Sequence, residues 1–451
     1  AVQFLYNDRC GDRRKTIARR TMETNMMLKT LTAALLTGVV AIGAVLPALG
    51  AKKWTIGTPI VTYWAGPGAG FMPVNDETAA QLRAGGWNVG WADTPGDLNT
   101  YHRHGVRAML VIRTPNLDDP DKAKKLEALI EQVRDHPAMY AYYLVDEPGA
   151  GAFPMLGRLV EFLRKRDPSH LAFINLFPTY ANAAQLNVSD DAAARAKVGY
   201  PTDFAGINTD DGTSMRYREH VRQFIEIVKP RMISYDHYHF LKERDGGQYF
   251  LNLALIRKAA LKAGLPFQNI IQACDSPAEG WRGPGEHEIR WLTYTSVAYG
   301  AQAIAHFRYD IGFWTNPKDP ATLRPLFWAV SQTNREFVAI ASELQRLRSL
   351  GAYHFGTLPL GGEAPPETAP FAPSPRKQEI LLGYFGRSAG RPTHVVIVNL
   401  NYKQPVTAKL AGPGPMQVFH AATGAWSDPS NGALVEIALP PGGGTLVRLA
   451  R

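Results

Sequence analysis

Two adjacent carboxylates, Asp146 and Glu147, end the apolar run Tyr142-Tyr143-Leu144-Val145 and are followed by Pro148. Charge at the exit of an apolar strand is desolvated, which favours the protonated form of a carboxyl. A carboxyl held neutral near neutral pH is what a general acid needs. The plain alternative is a helix N-cap, since Asp or Glu before Pro often opens a helix. A second acid, Asp236, sits in Ser234-Tyr235-Asp236-His237-Tyr238-His239, where phenol and imidazole can bind hydroxyls and orient a carboxylate. A third, Asp275, follows Ile271-Gln272-Ala273-Cys274. His237 and His239 alternate along a strand and point opposite ways, which argues against a shared metal ion. The candidate carboxylates are therefore Asp146, Glu147, Asp236 and Asp275, and no metal or cofactor is expected.

Groups that could position a substrate recur at other strand ends. Asp146, Asn175, His237, Tyr238, Gln272 and Arg308 supply polar contacts, and Tyr63, Trp64, Trp91 and Trp281 supply flat apolar rings. Sugar rings stack their C–H faces on aromatics, while carboxylates and amides take up their hydroxyls. A carbohydrate cleft accounts for the set as a whole, although some of these rings serve equally well as plugs of a core.

The elements that must carry these groups form a regular series. Strand candidates are Ile60–Trp64, Trp87–Trp91, Ala108–Arg113, Tyr140–Val145, Ala172–Phe177, Met232–Tyr235, Asn269–Ala273 and Ala303–Phe307. Most are continuously apolar, as strands buried on both faces of a parallel sheet are. Amphipathic stretches separate them: one opens at Asp119-Pro120, and another ends at Lys262-Ala263-Gly264. Eight strands, each followed by a helix, predict a (β/α)8 TIM barrel over 52–350. A doubly wound sheet fits less well, because no Gly-x-Gly-x-x-Gly turn follows the first strand. Residues 351–378 are rich in Pro, Gly and Ala and read as a linker. Runs such as Glu379–Phe385, His394–Leu400 and Thr445–Leu449 then predict a small antiparallel β-sandwich over 379–451.

The first 51 residues stand apart. Met26-Met27-Leu28-Lys29 precedes the apolar stretch Leu31–Leu49, and small residues around Pro47-Ala48-Leu49-Gly50-Ala51 suit cleavage. This reads as an upstream extension plus a secretory signal peptide, with a single membrane anchor as the alternative. A secreted or periplasmic protein is expected, without stable membrane insertion after cleavage. That segment holds seven Lys/Arg and three Asp/Glu, so +4 of the formal +9 belongs to it. The remaining +5 is scattered, which argues against a nucleic-acid partner. Cys10 lies in the same segment, leaving Cys274 alone in the rest, so neither an internal disulfide nor a Cys-based metal site can form there.

The Asp146-Glu147-Pro148 strand exit resembles the Asn-Glu or Asp-Glu-Pro signature of barrel glycoside hydrolases of the cellulase and β-galactosidase clan. Asn399-Leu400-Asn401, Thr423-Gly424 and Leu439-Pro440-Pro441-Gly442-Gly443-Gly444-Thr445-Leu446 resemble the C-terminal accessory sandwich of those enzymes. The resemblance implies hydrolysis of O-glycosidic bonds in a poly- or oligosaccharide, with Glu147 as acid/base. It also implies that Asp146 takes the place of the Asn that contacts the sugar 2-hydroxyl. The chain departs from the pattern at the seventh strand, where the family has a nucleophilic Glu and this sequence has Gln272 followed by Asp275. Asp236 or Asp275 must stand in for it. If neither does, a glycan-binding barrel without catalysis remains, or a lyase using Tyr238 or His237 as base.

Overall fold

The computed structural model describes residues 53–188 and 211–450; the expected signal peptide lies outside them. Eight parallel strands appear where apolar runs predict them. They are β1 (Ile60–Tyr63), β2 (Val89–Ala92), β3 (Arg107–Val111), β4 (Met139–Asp146), β5 (Leu171–Leu176), β6 (Ile233–His237), β7 (Phe267–Gln272) and β8 (Ala303–Phe307). Each pairs with its successor from β2 to β8, and β8 pairs with β1. Asn88 joins β1 to β2: its backbone N–H donates to Val61 O at 3.0 Å, and its Oδ1 accepts from Val61 N at 3.0 Å. Thr62 Oγ1 donates to Val89 O across the same seam, 2.8 Å away. The result is a (β/α)8 barrel.

Helices cover the outside for ordinary local reasons. Asp119 caps Pro120–Val133 by accepting from the N–H groups of Asp121 and Lys122, with Pro120 at the first helical position. Tyr249–Ala263 stops at Gly264, whose φ of 66° is left-handed. Among the described residues no helix is long and apolar enough to cross a membrane.

The C-terminal part is a β-sandwich of a six-stranded and a three-stranded sheet. It begins earlier than the sequence suggests. Arg348–Phe355 (β9) pairs antiparallel with Ile380–Gly386, and Ala372–Pro373 (β10) pairs with Val406–Ala411. The expected linker 351–378 is therefore partly sheet. Its first strand carries Gly351 and few β-branched residues, and so lacks a strand's composition until a partner is supplied. The strands β11 (Ile380–Gly386) and β12 (His394–Asn399) divide their side chains by the two-residue period. Ile380, Leu382, Val395 and Ile397 face the sandwich interior, whereas Leu381, Phe385, Val396 and Val398 join the barrel's core.

That second face lies against helix Glu286–Ala298, and Gly383 sits at the closest approach. A Cβ at Gly383 would stand 2.1 Å from Ala298 O, so backbone would have to move. Gly383→Ala is expected to destabilise the protein by about 1–3 kcal/mol. A urea unfolding midpoint unchanged from the parent would contradict this packing.

Candidate active site

Glu147 and Asp236, two of the three expected catalytic groups, lie at the C-terminal ends of β4 and β6, the end where barrels build their sites. Successive residues of a strand point to opposite faces, so Asp146 and Glu147 would ordinarily diverge. Two irregularities change this. The β4–β5 register shifts between Tyr143 and Val145, leaving Leu144 as an extra residue. Glu147 then adopts a left-handed φ of 46°, a conformation of order 1–3 kcal/mol above the usual ones for a residue with a side chain. Its N–H remains anchored to Asn175 O at 2.9 Å.

Asn175 organises the acids. On β5, between the other two strands, it donates from Nδ2 to Asp146 Oδ1 at 3.0 Å and to Asp236 Oδ1 at 3.0 Å. Gln268 Nε2 donates to Ser234 Oγ at 3.2 Å, which leaves the Ser234 hydroxyl proton for Asn175 Oδ1 at 2.9 Å. A flipped amide would set its oxygen against two carboxylates. One orientation is therefore enforced through a relay crossing β7, β6, β5 and β4.

Glu147 and Asp236 hydrogen-bond carboxyl to carboxyl, which requires a proton between them. Burial is the largest influence raising the Glu147 pKa, followed by the charges of Asp236 and Asp146. Asp236 is also raised, by burial and then by Asp146, but hydrogen bonds from Asn175 and Tyr238 oppose the shift. Glu147 rises further than Asp236. Asp146 is raised as well, by burial, with its Asn175 hydrogen bond opposing the shift, and of the three it is raised least. Two carboxyls with different protonation tendencies, in contact, are the parts of an acid and a nucleophile or base.

Aromatic rings gather in two groups. Trp64 makes edge contacts with Trp91 and Tyr143 at 4.7 and 5.7 Å between centroids. Tyr238 lies 4.5 Å from Trp281 and 4.9 Å from Phe307. Trp64 and Tyr238 are partly exposed, whereas Trp91 and Trp281 are buried behind them. Tyr63 is a core residue instead: its hydroxyl bonds Pro67 O at 2.7 Å, and the ring is 1% exposed.

Several other expected site residues are placed differently. Asp275 is exposed on the loop after β7 and is absent from the chief influences on Glu147. Gln272 is fully buried, and its amide bonds only backbone: Phe240 N and O, Cys274 O and Arg282 O. It latches the β6 and β7 loops together, with no donor left for a ligand. Arg308 forms a two-point ion pair with Asp310, at 2.9 and 2.5 Å. His237 is buried against Asn252 Oδ1 at 3.0 Å, and burial lowers its pKa to about 3. Tyr238 is raised well above the ordinary phenol value by burial and then by Asp236, which makes it a poor base. Asn175 clamps carboxylates, so its amide protons are already engaged.

Tyr180 was not evident from sequence. It is 43% exposed beside the acids, accepts from Tyr238 N, and is influenced by Asp236 and Glu147. It follows Phe177-Pro178-Thr179 just beyond a strand exit, a position no pattern separates from other loop aromatics.

No protein-family model matches the chain, and no curated protein matches it in sequence. Solved structures with a similar course include a glycoside hydrolase family 5 protein from Bacteroides vulgatus, 11% identical, covering 86% of this chain and 89% of that one, with TM-score 0.48. An α-amylase from Malbranchea cinnamomea is 10% identical over 86% and 96% of the two chains, with TM-score 0.38. An endo-β-1,3-glucanase of family 128 from Sorangium cellulosum is 12% identical over 61% and 98%, with TM-score 0.37.

The raised carboxyls have a consequence for stability. Glu147 and Asp236 hold protons in the folded chain that the unfolded chain has lost above about pH 4. Stability attributable to them is fully present below that pH and falls as pH rises through the folded values. Glu147→Gln removes part of this slope. Relative to the parent, the variant should gain about 1–2 kcal/mol between pH 4.5 and pH 8, read from urea unfolding at both. An equal difference at the two pH values would contradict the assignment.

Proposed function

We propose that the protein is an exported glycoside hydrolase that cleaves O-glycosidic bonds of a poly- or oligosaccharide with two carboxyl groups. The observation that carries the reading is the Glu147–Asp236 contact, with Glu147 the more strongly protonated partner. Glu147 protonates the departing glycosidic oxygen, and Asp236, steadied by Asn175 and Tyr238, attacks the anomeric carbon. Glu147 then takes a proton from the water that releases the sugar. Asp146 contributes its negative charge, which keeps the proton on Glu147. Trp64 and Tyr180 offer partly exposed ring surface on which a sugar can stack.

The contact between the acids favours retention of configuration. Inversion needs room for a water molecule, with carboxyls roughly 6.5–9.5 Å apart, while retention uses about 5–5.5 Å. Carboxyls close enough to share a proton leave no such room and need only part slightly to admit a sugar. Export rests on the apolar stretch Leu31–Leu49 behind Met26-Met27-Leu28-Lys29.

Both pKa shifts are upward, so the active form, with Asp236 ionised and Glu147 protonated, is reached above the ordinary carboxylate range. Both limbs of the pH–rate profile should lie higher than for unperturbed acids. Glu147→Gln should lower kcat about a thousandfold while glycan binding persists, and Asp236→Asn should do the same. Proton NMR of the first product should show retained anomeric configuration. Normal turnover by either variant, or glycan binding by the parent protein with no reducing ends released, would overturn the reading.

A further inference from the structure

The opposite end of the barrel carries a second concave feature. A cavity of about 610 Å³ opens where the chain enters β6, β7 and β8, bounded by Trp54, Pro230, Pro266 and Gln302. Lys53, Arg164, Lys229 and Arg231 also line it, and none of its lining residues is Asp or Glu. Cations at helix C-termini are ordinary, because the helix dipole favours them there. That explains Arg164, in the last turn of Phe153–Arg166, but not Arg231, which lies on the chain leading into β6.

The two guanidinium groups are held in place by backbone. Arg164 donates to Lys229 O and Arg231 donates to Pro168 O. A guanidinium has five N–H donors, so each fork retains further capacity. Both side chains are half-buried, and Arg231 is lowered in pKa by burial and then by the charge of Arg164. Asp167 is the acid that opposes this, but its oxygens already serve Tyr142, His170 and the Ser169 N–H. Lys53 and Lys229 are exposed at the rim. Four cations line one hollow, two of them pinned and half-buried, and the nearby acids are engaged elsewhere, Asp167 as above and Glu161 with Lys165, so the hollow forms a receptor for negative charge.

We propose that this basic hollow is a second binding site that takes an oxyanion group, sulfate or phosphate, either as the free ion or carried on a glycan. It is separate from the carboxyl site and does not depend on the hydrolase reading. The anion accepts from the two arginine forks, with Lys53 and Lys229 closing over it.

The test is calorimetric titration of the full protein with sodium sulfate, inorganic phosphate, a sulfated oligosaccharide and its desulfated counterpart, at constant ionic strength in chloride. Sulfate or phosphate should bind where chloride does not. Arg231→Gln should weaken that binding about tenfold, and so should the paired rim change Lys53→Gln with Lys229→Gln, which leaves the buried contacts intact. Glu147→Gln should bind the anion as the parent does, which separates this site from the catalytic one. Tighter binding of the sulfated oligosaccharide than of free sulfate, through the same residues, identifies a glycan-borne anion; equal affinity identifies the free ion. No binding beyond chloride, or binding unaffected by both sets of substitutions, would overturn the proposal.

Discussion

One side-chain amide holds the site together. Asn175 donates both of its Nδ2 protons to acids, Asp146 on one neighbouring strand and Asp236 on the other, and its oxygen is fixed by Ser234. Carboxylates brought together by burial repel one another and stay together only if protons or donors intervene. Asn175 supplies the donors for two of them, and the third, Glu147, hydrogen-bonds Asp236 through a shared proton. The distinct roles of the three acids follow from this. Asp146 is the least raised of the three, Asp236 is buried but well supplied with donors, and Glu147 carries the proton.

The scaffold around the amide is built to keep it still. Ser234 and Gln268 extend the relay into β6 and β7, and Gln272 ties the loop after β6 to the loop after β7. The sandwich reaches the same loop, where Tyr402 hydroxyl donates to Asp245 Oδ2 at 2.5 Å and Arg282 bridges Asp245 and Glu288. Tyr238, which steadies Asp236, belongs to this braced segment. The accessory domain is thus part of what positions the chemistry.

Much of the architecture is legible in the residues, because a strand buried on both faces must be apolar throughout and a helix on the outside must be amphipathic. All eight barrel strands and six sandwich strands fall on or beside the expected runs, most of the barrel runs continuously apolar and several sandwich runs alternating. Strand β9 does not, since Arg348-Ser349-Leu350-Gly351 acquires its extended form from pairing with β11. At the site, Glu147 and Asp236 could be nominated from residue type and strand position. The third candidate, Asp275, differs from Asp236 only in where the loop turns, which spacing does not encode. Gln272 ends a strand as a substrate contact would, yet most of the backbone groups that saturate it come from residues 240 and 282, remote in sequence. The bulge at Leu144 and the left-handed Glu147, which together let adjacent acids converge, are properties of the register and not of residue type.

The account rests on the claim that burial, reinforced by the charges of Asp236 and Asp146, keeps Glu147 protonated above the ordinary carboxylate range. Carbon-13 NMR with the Glu147 side-chain carboxyl resolved in the folded protein measures this without any substrate. Its titration midpoint should lie well above the ordinary glutamate value and should fall when Asp236 is replaced by Asn. A Glu147 carboxyl that titrates as an ordinary glutamate, and does not respond to the loss of Asp236, would contradict the account.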